Sequence, residues 1–516
     1  MIEDLKFRPE ALLQRGILSM NMVARLLIAV FLCLGLTGCS SVINVKEPSH
    51  SPSPTLTPQE STYSFDGPEG NSMENSRNND EKNSGAEGEN VITVYCDSGE
   101  VVKFIKKFQE LHPDFEYEIE IYTEYAFGDE YPERVHDLIN GRLGVIPDIY
   151  SVITEDICRF TKGSDYHYAV PFEELGIDAE KLVKEAEIPQ YMIDVCTNPE
   201  GKLVALGYQN TAGAFIYRRS IAKKVWGTDD PEVISGKIGP GWDKFMNAAD
   251  KLKAKGYVIC SGIYDLWKPF EMNAEQGWFK DGLVIDPTRE EFLDYAREMV
   301  EKGYTNNTIW WTNEWYADMK GEGEREVFGF FGPYWLVSYV IAGNSGGDNP
   351  GEGTYGDWAV CDPPAGFFWG NTMFLAHRNT RHKEAVGEII RWLTLDTSET
   401  GAQYLWATGE ISGSMEIPSS VMVSKKLEYK YDFLGGQDML EAYLPATQYA
   451  HGDSQSEYDS WIGYLWQNEA MEYAQGNKTR EQAITDFKVR VDEHLKYLAK
   501  MEAYWDKPEE TGGPSN

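Results

Sequence analysis

The stretch VITVYCDSG, residues 91–99, opens the folded body of this 516-residue chain. It is a run of β-branched and aromatic residues closed by turn-forming residues, which predicts a buried strand. The next stretch, EVVKFIKKFQELHPDF (100–115), predicts a helix that stops before Pro113. Its apolar residues at helical spacing are Val101, Phe104, Ile105, Phe108 and Leu111. EYEIEIYTEY (116–125) predicts a second strand, so the body opens as strand, helix, strand.

The same alternation continues along the body. YPERVHDLINGRLGVIPDIYSV (131–152) predicts helix, turn and strand. Amphipathic helices are predicted at 241–257, at 382–396 and at 477–505, the last of which opens with a threonine cap. Alternating strands and helices are typical of an α/β fold, with a mostly parallel sheet and helices on both faces. In such sheets, ligands bind where the carboxyl ends of the strands meet the loops.

Composition excludes several classes of protein. The net charge of −36 excludes nucleic acid as a partner, because duplex binding relies on clustered lysine and arginine. The roughly 425 residues after residue 90 are too many for one ordinary core and suit two large lobes. The cysteines of this body show no CxxC spacing, which argues against a zinc site or a disulfide framework. We expect most of them to be small buried hydrophobes: Cys96, Cys158, Cys196, Cys260 and Cys361.

The N-terminal region carries an export pattern. An apolar run over residues 26–36 follows Arg25 and is shorter than the roughly 20 residues that a membrane-spanning helix needs. It ends in LTGC (36–39), which resembles the lipobox of bacterial lipoproteins, where cleavage leaves a lipidated cysteine first. Two acyl chains give a stable membrane anchor, whereas one does not. We therefore expect residues 1–39 to be a lipoprotein signal peptide, with Cys39 as the lipid attachment site.

Residues 40–90 are rich in Ser, Pro, Glu, Asn and Gly and have almost no large apolar residues. Such a segment cannot bury enough apolar surface to offset the entropy of ordering it. The sequence therefore predicts a disordered tether between the anchor and the body.

Several stretches of the body resemble, in this order, the extracellular solute-binding proteins of ABC importers. The resemblance is to the carbohydrate-binding branch (family 1), which includes the maltodextrin-binding proteins. It covers nearly all of residues 91–500. The stretches that carry it are ITVYCDSG with FIKKFQELHPDFEYEI, IPDIYSVITEDICRFTKG, AVPFEELGI, AFIYRRSIAKKVWG, WDKFMNAADKLKAKGY, VFGFFGPYW, YGDWAVCDPPAG, TMFLAHRNTRHKEAVGEIIRWLT and AMEYAQGNKTREQAI.

The resemblance implies a two-lobed periplasmic-binding-protein-like fold of type II, in which strands cross between the lobes and the ligand lies in the cleft. Lobe one is then 91–208 with 372–428, and lobe two is 209–371 with 429–510. Such proteins alternate between open and closed forms by bending at the hinge.

The implied function is to bind an extracellular sugar, most simply an oligosaccharide, and to deliver it to the permease subunits of an ABC transporter. The resemblance implies no enzymatic activity, no cofactor and no metal, and a monomer lipid-anchored to the outer face of a bacterial cytoplasmic membrane. No GxSxG, HExxH or Walker pattern occurs in the sequence. Two alternatives stay open: the same fold binding iron or a polyamine, and a surface glycoside hydrolase that uses two carboxylates.

A sugar presents an apolar ring face and a rim of hydroxyls, which aromatic rings and carboxylates or amides bind respectively. Tyr334 and Trp335 follow a Gly-Pro turn where the family has its stacking tryptophan, with burial in the core as the alternative. Glu155 and Asp156 lie on the loop after a predicted strand, where the family often has a hydroxyl-binding acid. Their alternative is an acid pair at a helix start. The family's aromatic residue just upstream is Val152 here.

The other predicted ligand-binding residues lie at the first strand's end, at the two crossings and in a late helix. They are Asp97, Ser98, Glu100, Gln209, Asn210, Trp369, Asn371 and Trp461. Gln209 and Asn210 are equally suited to a hinge role.

Two further stretches have open interpretations. TIWWTNEWY (308–316) holds Trp310, Trp311 and Trp315, which suit helical packing or a peripheral sugar platform. DNPGEGTYGD (348–357) has acids and glycines that could hold calcium, but it lacks the EF-hand spacing.

Overall fold

A computed structural model describes residues 90–124, 130–280 and 282–505. The predicted signal peptide, the lipid attachment site at Cys39 and the predicted tether up to residue 89 lie outside these residues. Among the described residues, no helix combines the length and apolarity that crossing a membrane requires.

The strands fall into two main sheets and one short hairpin. They are β1 (Val91–Cys96), β2 (Glu118–Thr123), β3 (Ile149–Ile153), β4 (Ala205–Gly207), β5 (Ala214–Arg218), β6 (Gly329–Gly332), β7 (Trp358–Cys361), β8 (Thr372–Ala376), β9 (Lys430–Tyr431) and β10 (Gln437–Asp438).

Helices cover most of the remaining chain, together with short 3₁₀ turns and a π-helical turn at Leu336–Ile341. The α-helices are α1 (Gly99–Leu111), α2 (Glu130–Ile139), α3 (Ile157–Thr161), α4 (Ala179–Ala186), α5 (Gln190–Cys196), α6 (Arg219–Trp226), α7 (Pro231–Ile238), α8 (Trp242–Lys253), α9 (Trp267–Met272), α10 (Pro287–Glu301), α11 (Asn313–Lys320), α12 (Lys383–Thr394), α13 (Ala402–Ala407), α14 (Val421–Ser424), α15 (Met439–Tyr443), α16 (Asp459–Ala474) and α17 (Arg480–Trp505).

The first sheet has the strand order β2-β1-β3-β8-β4 and forms the centre of the first lobe. β1 pairs in parallel with β2 and with β3, as the alternating sequence predicts. β8 is antiparallel to both β3 and β4, with Ile149 opposite Ala376. The expected mostly parallel sheet is therefore wrong for this half, because β8 returns from the second lobe rather than through a helical crossover.

The second sheet has the order β6-β5-β7 and forms the centre of the second lobe. Both pairs are antiparallel, with Phe215 of β5 opposite Phe331 on one side and Cys361 on the other. The parallel arrangement expected from the sequence is wrong here as well. The fold is nevertheless the two-lobed α/β fold that the sequence predicts.

The first predicted helix, α1, buries four of its five periodic residues: Val101, Phe104, Ile105 and Phe108. The fifth, Leu111, lies in the last turn and is 37% exposed. Phe108 packs edge-on against Trp392 of α12, with ring centroids 5.4 Å apart. This contact packs α1 against α12.

The predicted threonine cap of the C-terminal helix is present before α17. Gln482 N donates to Thr479 Oγ1 at 3.2 Å, and Thr479 N donates to Gln482 Oε1 at 2.9 Å. This reciprocal pair satisfies two donors of the first turn. The cysteines at 96, 158, 196, 260 and 361 are free and buried, which confirms their prediction as small hydrophobes.

The chain passes from the first sheet to the second between β4 and β5, and returns between β7 and β8. Gln209 bridges to Pro418, and Ala212 bridges to Phe368, so the crossing segments lie side by side. The lobe bounds expected from the sequence assign each main sheet to one lobe. As exact boundaries they stay a prediction.

Candidate functional site

A pocket lies between the two lobes beside the second crossing. The first lobe supplies the loop after β3 and part of α5, and the second lobe supplies α9 and the start of α16. Its lining residues are Thr154, Glu155, Val195, Lys268, Glu271, Met272, Phe368, Trp369, Gly370, Gln455, Asp459 and Ser460. Two of the residues predicted to bind a ligand, Glu155 and Trp369, are therefore brought together from opposite sides.

A buried ion pair forms the α9 wall of the pocket. Lys268 Nζ lies 2.8 Å from Glu271 Oε2, and the two side chains are 13% and 2% exposed. Burial lowers the pKa of Lys268, but the charges of Glu271, Glu155 and Asp459 outweigh it, so that the pKa lies above its usual value. Lys268 is therefore held as a cation within an acidic surrounding.

Asp459 opens α16 at the opposite side of the pocket. Burial raises its pKa to about 6, although the Arg289 charge and hydrogen bonds from Ser456 act in the other direction. Arg289 is fully buried, lies 4.0 Å from Asp459 through Nη2, and stacks 4.3 Å from the ring centroid of Trp278. The pocket thus has a second cation behind its wall rather than on its surface.

Polar groups remain available to a ligand in this pocket. Gln455 is 9% exposed, and its Nε2 has no hydrogen-bond partner among the described residues. Glu155 is half-buried and lines the pocket from the first lobe. A buried donor without a partner is costly unless a ligand or water satisfies it, so Gln455 Nε2 is a candidate ligand contact.

Four tryptophans form a cluster that begins at the pocket and continues outward from it. Trp369 stacks on Trp310 at a centroid distance of 4.8 Å and meets Trp335 edge-on at 4.9 Å. Trp311 lies parallel to Trp335 at 6.3 Å, with an interplanar angle of 7°. We call Trp310, Trp311, Trp335 and Trp369 the tryptophan cluster.

Hydrogen bonds orient the inner rings of the tryptophan cluster. Trp335 Nε1 donates to the carbonyl oxygen of Trp369 at 2.8 Å, and Trp310 Nε1 donates to Asp265 Oδ1 at 2.9 Å. Gly370 permits the close approach, since a Cβ there would lie 2.9 Å from Trp335 Nε1, and its φ is +78°.

Trp311 differs from the other members of the cluster. It is 51% exposed and its backbone φ is +63°, a conformation that a bulky residue rarely adopts. Helical packing holds for Trp315, which is buried in α11, but is wrong for Trp310 and Trp311, which precede that helix.

The predicted residues of the crossings hydrogen-bond to backbone. We call the pair of bonds between Asn371 and the Gln209 backbone the clasp. Asn371 Nδ2 donates to the Gln209 carbonyl at 2.6 Å, and Gln209 N donates to Asn371 Oδ1 at 3.3 Å. Asn210 Oδ1 accepts from Tyr191 OH and from the Ala212 amide, both at 3.1 Å. These side chains hold crossing backbone, which corresponds to the hinge alternative for Gln209 and Asn210.

The acids at the end of β1 point toward different partners. Asp97 Oδ1 accepts from Ser151 Oγ at 2.8 Å, and burial raises the pKa of Asp97. Ser98 Oγ is buried without a hydrogen-bond partner within the described part of the chain. Glu100 accepts from Tyr208 OH at 2.7 Å and from Tyr339 OH at 3.4 Å. The last bond crosses from the first lobe to the π-helical turn of the second.

Three more of the predicted residues, Tyr334, Trp461 and Asp156, also lie outside the pocket lining. Tyr334 is 2% exposed in the second lobe's core, where its hydroxyl donates to the Met415 carbonyl at 3.1 Å. Trp461 packs on His494 of α17 at 4.3 Å. Asp156 directly precedes α3, as expected for an acid at a helix start. Their roles in ligand binding stay predictions.

Sequence reasoning missed Lys268, Glu271, Gln455 and Asp459. WKPFEM (267–272) combines aromatic and charged residues in one short helix, and this was the available signal. The proposed calcium loop is explained otherwise, since Glu352 accepts from the amides of Asp348 at 3.0 Å and Asn349 at 3.2 Å. Within the described ranges, no group of three or more His, Cys, Asp or Glu side chains is placed to hold a metal ion.

Comparison with known proteins finds one family whose model matches part of this chain. Residues 168–400 match the bacterial extracellular solute-binding protein family. A search of curated proteins finds no match. An extracellular solute-binding protein of family 1 has a similar structure, with a TM-score of 0.65 at 14% identity, covering 78% of this chain and 99% of that one.

Two further solved structures have the same fold. The sugar-binding protein MalE of Xanthomonas citri gives a TM-score of 0.59 at 14% identity, covering 81% of this chain and 100% of the other. The second is the galacto-N-biose-/lacto-N-biose I-binding protein of the ABC transporter from Bifidobacterium longum, in complex with lacto-N-biose. It gives a TM-score of 0.58 at 16% sequence identity, covering 79% of this chain and 98% of the other. The chain thus matches the bacterial extracellular solute-binding protein family over residues 168–400, and it has the two-lobed fold of these solved structures.

Proposed function

We propose that this solute-binding protein binds an extracellular saccharide in the interlobe pocket and delivers it, unaltered, to an ABC importer. The observation that carries the proposal is the pocket itself, where the ring of Trp369 lies beside the polar groups of Glu155 and Gln455. An aromatic face suits the apolar side of a sugar ring, and carboxylate and amide groups suit its hydroxyls.

The solved structures support the same ligand chemistry. One similar protein is a sugar-binding protein, and another is in complex with lacto-N-biose. We infer that this chain likewise binds a sugar and delivers it to an ABC importer.

Closure of the two lobes around the saccharide is the proposed mechanism. The pocket takes residues from both lobes, so a ligand that contacts both stabilises the closed form. The clasp of Gln209 and Asn371 lies where the chain crosses and is the proposed hinge. The importer then recognises the closed form.

The proposed location is the outer face of the cytoplasmic membrane, with a monomeric body held there through lipid on Cys39. The family is extracellular, which places its members in the periplasm or at the cell surface. Replacing Cys39 with Ser should release the protein from the membrane fraction into the medium, as judged by immunoblotting. Retention of the Cys39→Ser variant in membranes would contradict the anchor.

A thermal-shift screen against a glycan panel tests the function. A ligand at 100 times its Kd adds about 2.7 kcal/mol of stability, which gives a clear upward shift in Tm. Chromatography of the recovered saccharide should show it intact, whereas shortened products would indicate a glycoside hydrolase. Fe(III) and spermidine form separate arms, and a shift with either of them alone would overturn the sugar assignment.

The tryptophan cluster is the proposed continuation of the site for longer saccharides. Replacing Trp311 with Gly removes an exposed ring, and we expect about three- to tenfold weaker binding of tri- and longer saccharides by calorimetry. Stability should be unchanged or higher, because Gly adopts a φ of +63° freely. Tyr464→Ala is the control, since Tyr464 is 62% exposed on α16. Equal affinity of Trp311→Gly and the parent for every chain length would exclude Trp311 from the site.

A further inference from the structure

The interlobe pocket contains more buried negative charge than available positive charge. Three carboxylates, those of Glu155, Glu271 and Asp459, line it, while Lys268 is the one cation in its lining. Building on the proposed function, we propose that the pocket accepts an uncharged saccharide ring and discriminates against a ring that carries a carboxylate or a sulfate.

Lys268 is not free to receive an anion. Its ammonium lies 2.8 Å from Glu271 Oε2, and both side chains are largely withdrawn from solvent. Glu155 and Asp459 add further negative potential at the same ammonium. An anionic ligand would have to compete with a carboxylate that is already in place and buried.

Arg289 is not available either. Its guanidinium has no solvent exposure, lies behind Asp459 and is covered by the Trp278 ring. Its Nη1 donates to the Gln276 carbonyl at 2.8 Å, and Arg289 does not line the pocket. The cation therefore offsets the Asp459 charge without offering a contact to a ligand.

A neutral ring finds the complementary groups it needs. Each hydroxyl both donates and accepts, and the pocket has an acceptor in Glu155 and an unpartnered buried donor in Gln455 Nε2. Trp369 provides the apolar face. A sugar carboxylate in place of a hydroxymethyl would instead face like charges in a partly buried space, where repulsion is only weakly screened.

A matched pair of ligands tests this directly. Maltose, lactose and cellobiose are titrated by calorimetry at pH 7, each beside the same disaccharide whose non-reducing C6 hydroxymethyl is oxidised to a carboxylate. For every neutral sugar that binds, we expect the oxidised form to bind at least about 30-fold more weakly, which corresponds to about 2 kcal/mol. The preference should persist in 0.5 M salt, because the carboxylates of Glu271 and Asp459 are buried and salt screens buried charges weakly.

Variants connect the preference to the pocket charge. Glu155→Gln should lower the ratio of the Kd for the oxidised ligand to the Kd for the neutral ligand at least several-fold, because it removes one of the like charges. Glu180→Gln, the same change on an exposed helix position, should leave the ratio unchanged. The Kd ratio is read within each variant, so a general loss of affinity does not obscure it.

The outcomes separate the inference from the function on which it rests. Oxidised ligands that bind as tightly as neutral ones, or a ratio that Glu155→Gln leaves intact, would overturn the charge selection alone. If neither form of any disaccharide binds and the glycan panel is also silent, the proposed function fails, and the inference fails with it.

Discussion

Glu416 is the most strongly perturbed acid near the lobe interface. It has no solvent exposure, and burial raises its pKa to about 8 despite hydrogen bonds from Tyr339 and Ser414. Tyr339 OH donates to Oε1 at 2.6 Å, while Oε2 has no hydrogen-bond partner in the described residues. Burial therefore favours the neutral carboxylic acid form of Glu416.

A pH dependence of stability follows from Glu416. Its folded pKa of about 8 lies above the ordinary value of 4.5, so the folded state holds the proton more tightly than the unfolded state. The stability from this group is complete below pH 4.5 and is lost as the pH rises through 8. Glu416→Gln, which stays neutral, should be about 1–3 kcal/mol more stable than the parent at pH 8 and similar to it at pH 4.5.

Urea denaturation at pH 4.5, 6 and 8 measures this difference. Glu180→Gln serves as the control, because it makes the same chemical change at an exposed position. A constant difference between Glu416→Gln and the parent at all three pH values would show that Glu416 ionises normally.

Single residues of the site were predictable where they follow a strand end or a crossing. Glu155 lies after β3 and Trp369 lies before β8, and the family resemblance directed attention to both of these places. Lys268 and Asp459 could not be found this way, because their positions depend on how α9 and the start of α16 pack across the interface. Tyr334 and Trp335 are adjacent in sequence, yet only the three-dimensional packing separates a core ring from a cluster ring.

At the scale of elements, the crossing before β8 carries backbone strain. Asn371 has a φ of +117°, which is unusual for any residue other than glycine. Its side chain bonds the Gln209 backbone, and its carbonyl accepts from the Thr154 amide at 2.9 Å. These hydrogen bonds join the crossing segment to the first crossing and to the loop after β3.

Substitutions at the clasp separate strain from bonding. Asn371→Ala loses the side-chain bonds and keeps the strain, whereas Asn371→Gly loses the same bonds and relieves it. We expect both to destabilise, with Asn371→Ala less stable than Asn371→Gly by about 1–3 kcal/mol in urea denaturation. Gly207→Ala should also destabilise, because its Cβ would lie 2.3 Å from Asn371 Nδ2 and displace the clasp.

The comparison between the two variants is its own control, since they differ by one methyl group. Equal stability of Asn371→Ala and Asn371→Gly would mean that the crossing is unstrained. A stable Gly207→Ala would mean that Asn371 can move without cost.

The elements themselves were largely predictable, but their pairing was not. The 3.6-residue period located α1, α8, α12 and α17 because each has one apolar face. Strand direction depends on the connection between strands, and β8 arrives after an excursion of more than 150 residues through the second lobe. The residues of β8 do not indicate in which direction the chain returns to the first sheet. The expectation that β8 and the strands of the second sheet are parallel was therefore wrong.

At the scale of the whole molecule, a polar bridge joins the lobes beside the crossings. Tyr339 of the π-helical turn donates to Glu416 and lies 3.4 Å from Glu100 of α1 in the first lobe. Glu100 also accepts from Tyr208, and burial raises the pKa of Glu100. One hydroxyl therefore lies between the buried Glu416 and the half-buried Glu100, and we expect its contacts to favour closure of the lobes.

Tyr339→Phe tests this contribution to closure. The variant loses the hydroxyl that bridges Glu100 and Glu416, at a cost of about 1–2 kcal/mol to the closed form. Since affinity scales with the closed population, we expect a roughly five- to thirtyfold higher Kd for the bound saccharide. Small-angle scattering should show a larger radius of gyration for the ligand-free variant than for the parent. Tyr464→Phe is the control: it removes an exposed hydroxyl on α16 and should change neither the Kd nor the radius of gyration. Identical scattering and Kd for Tyr339→Phe and the parent would show that this bridge does not control closure.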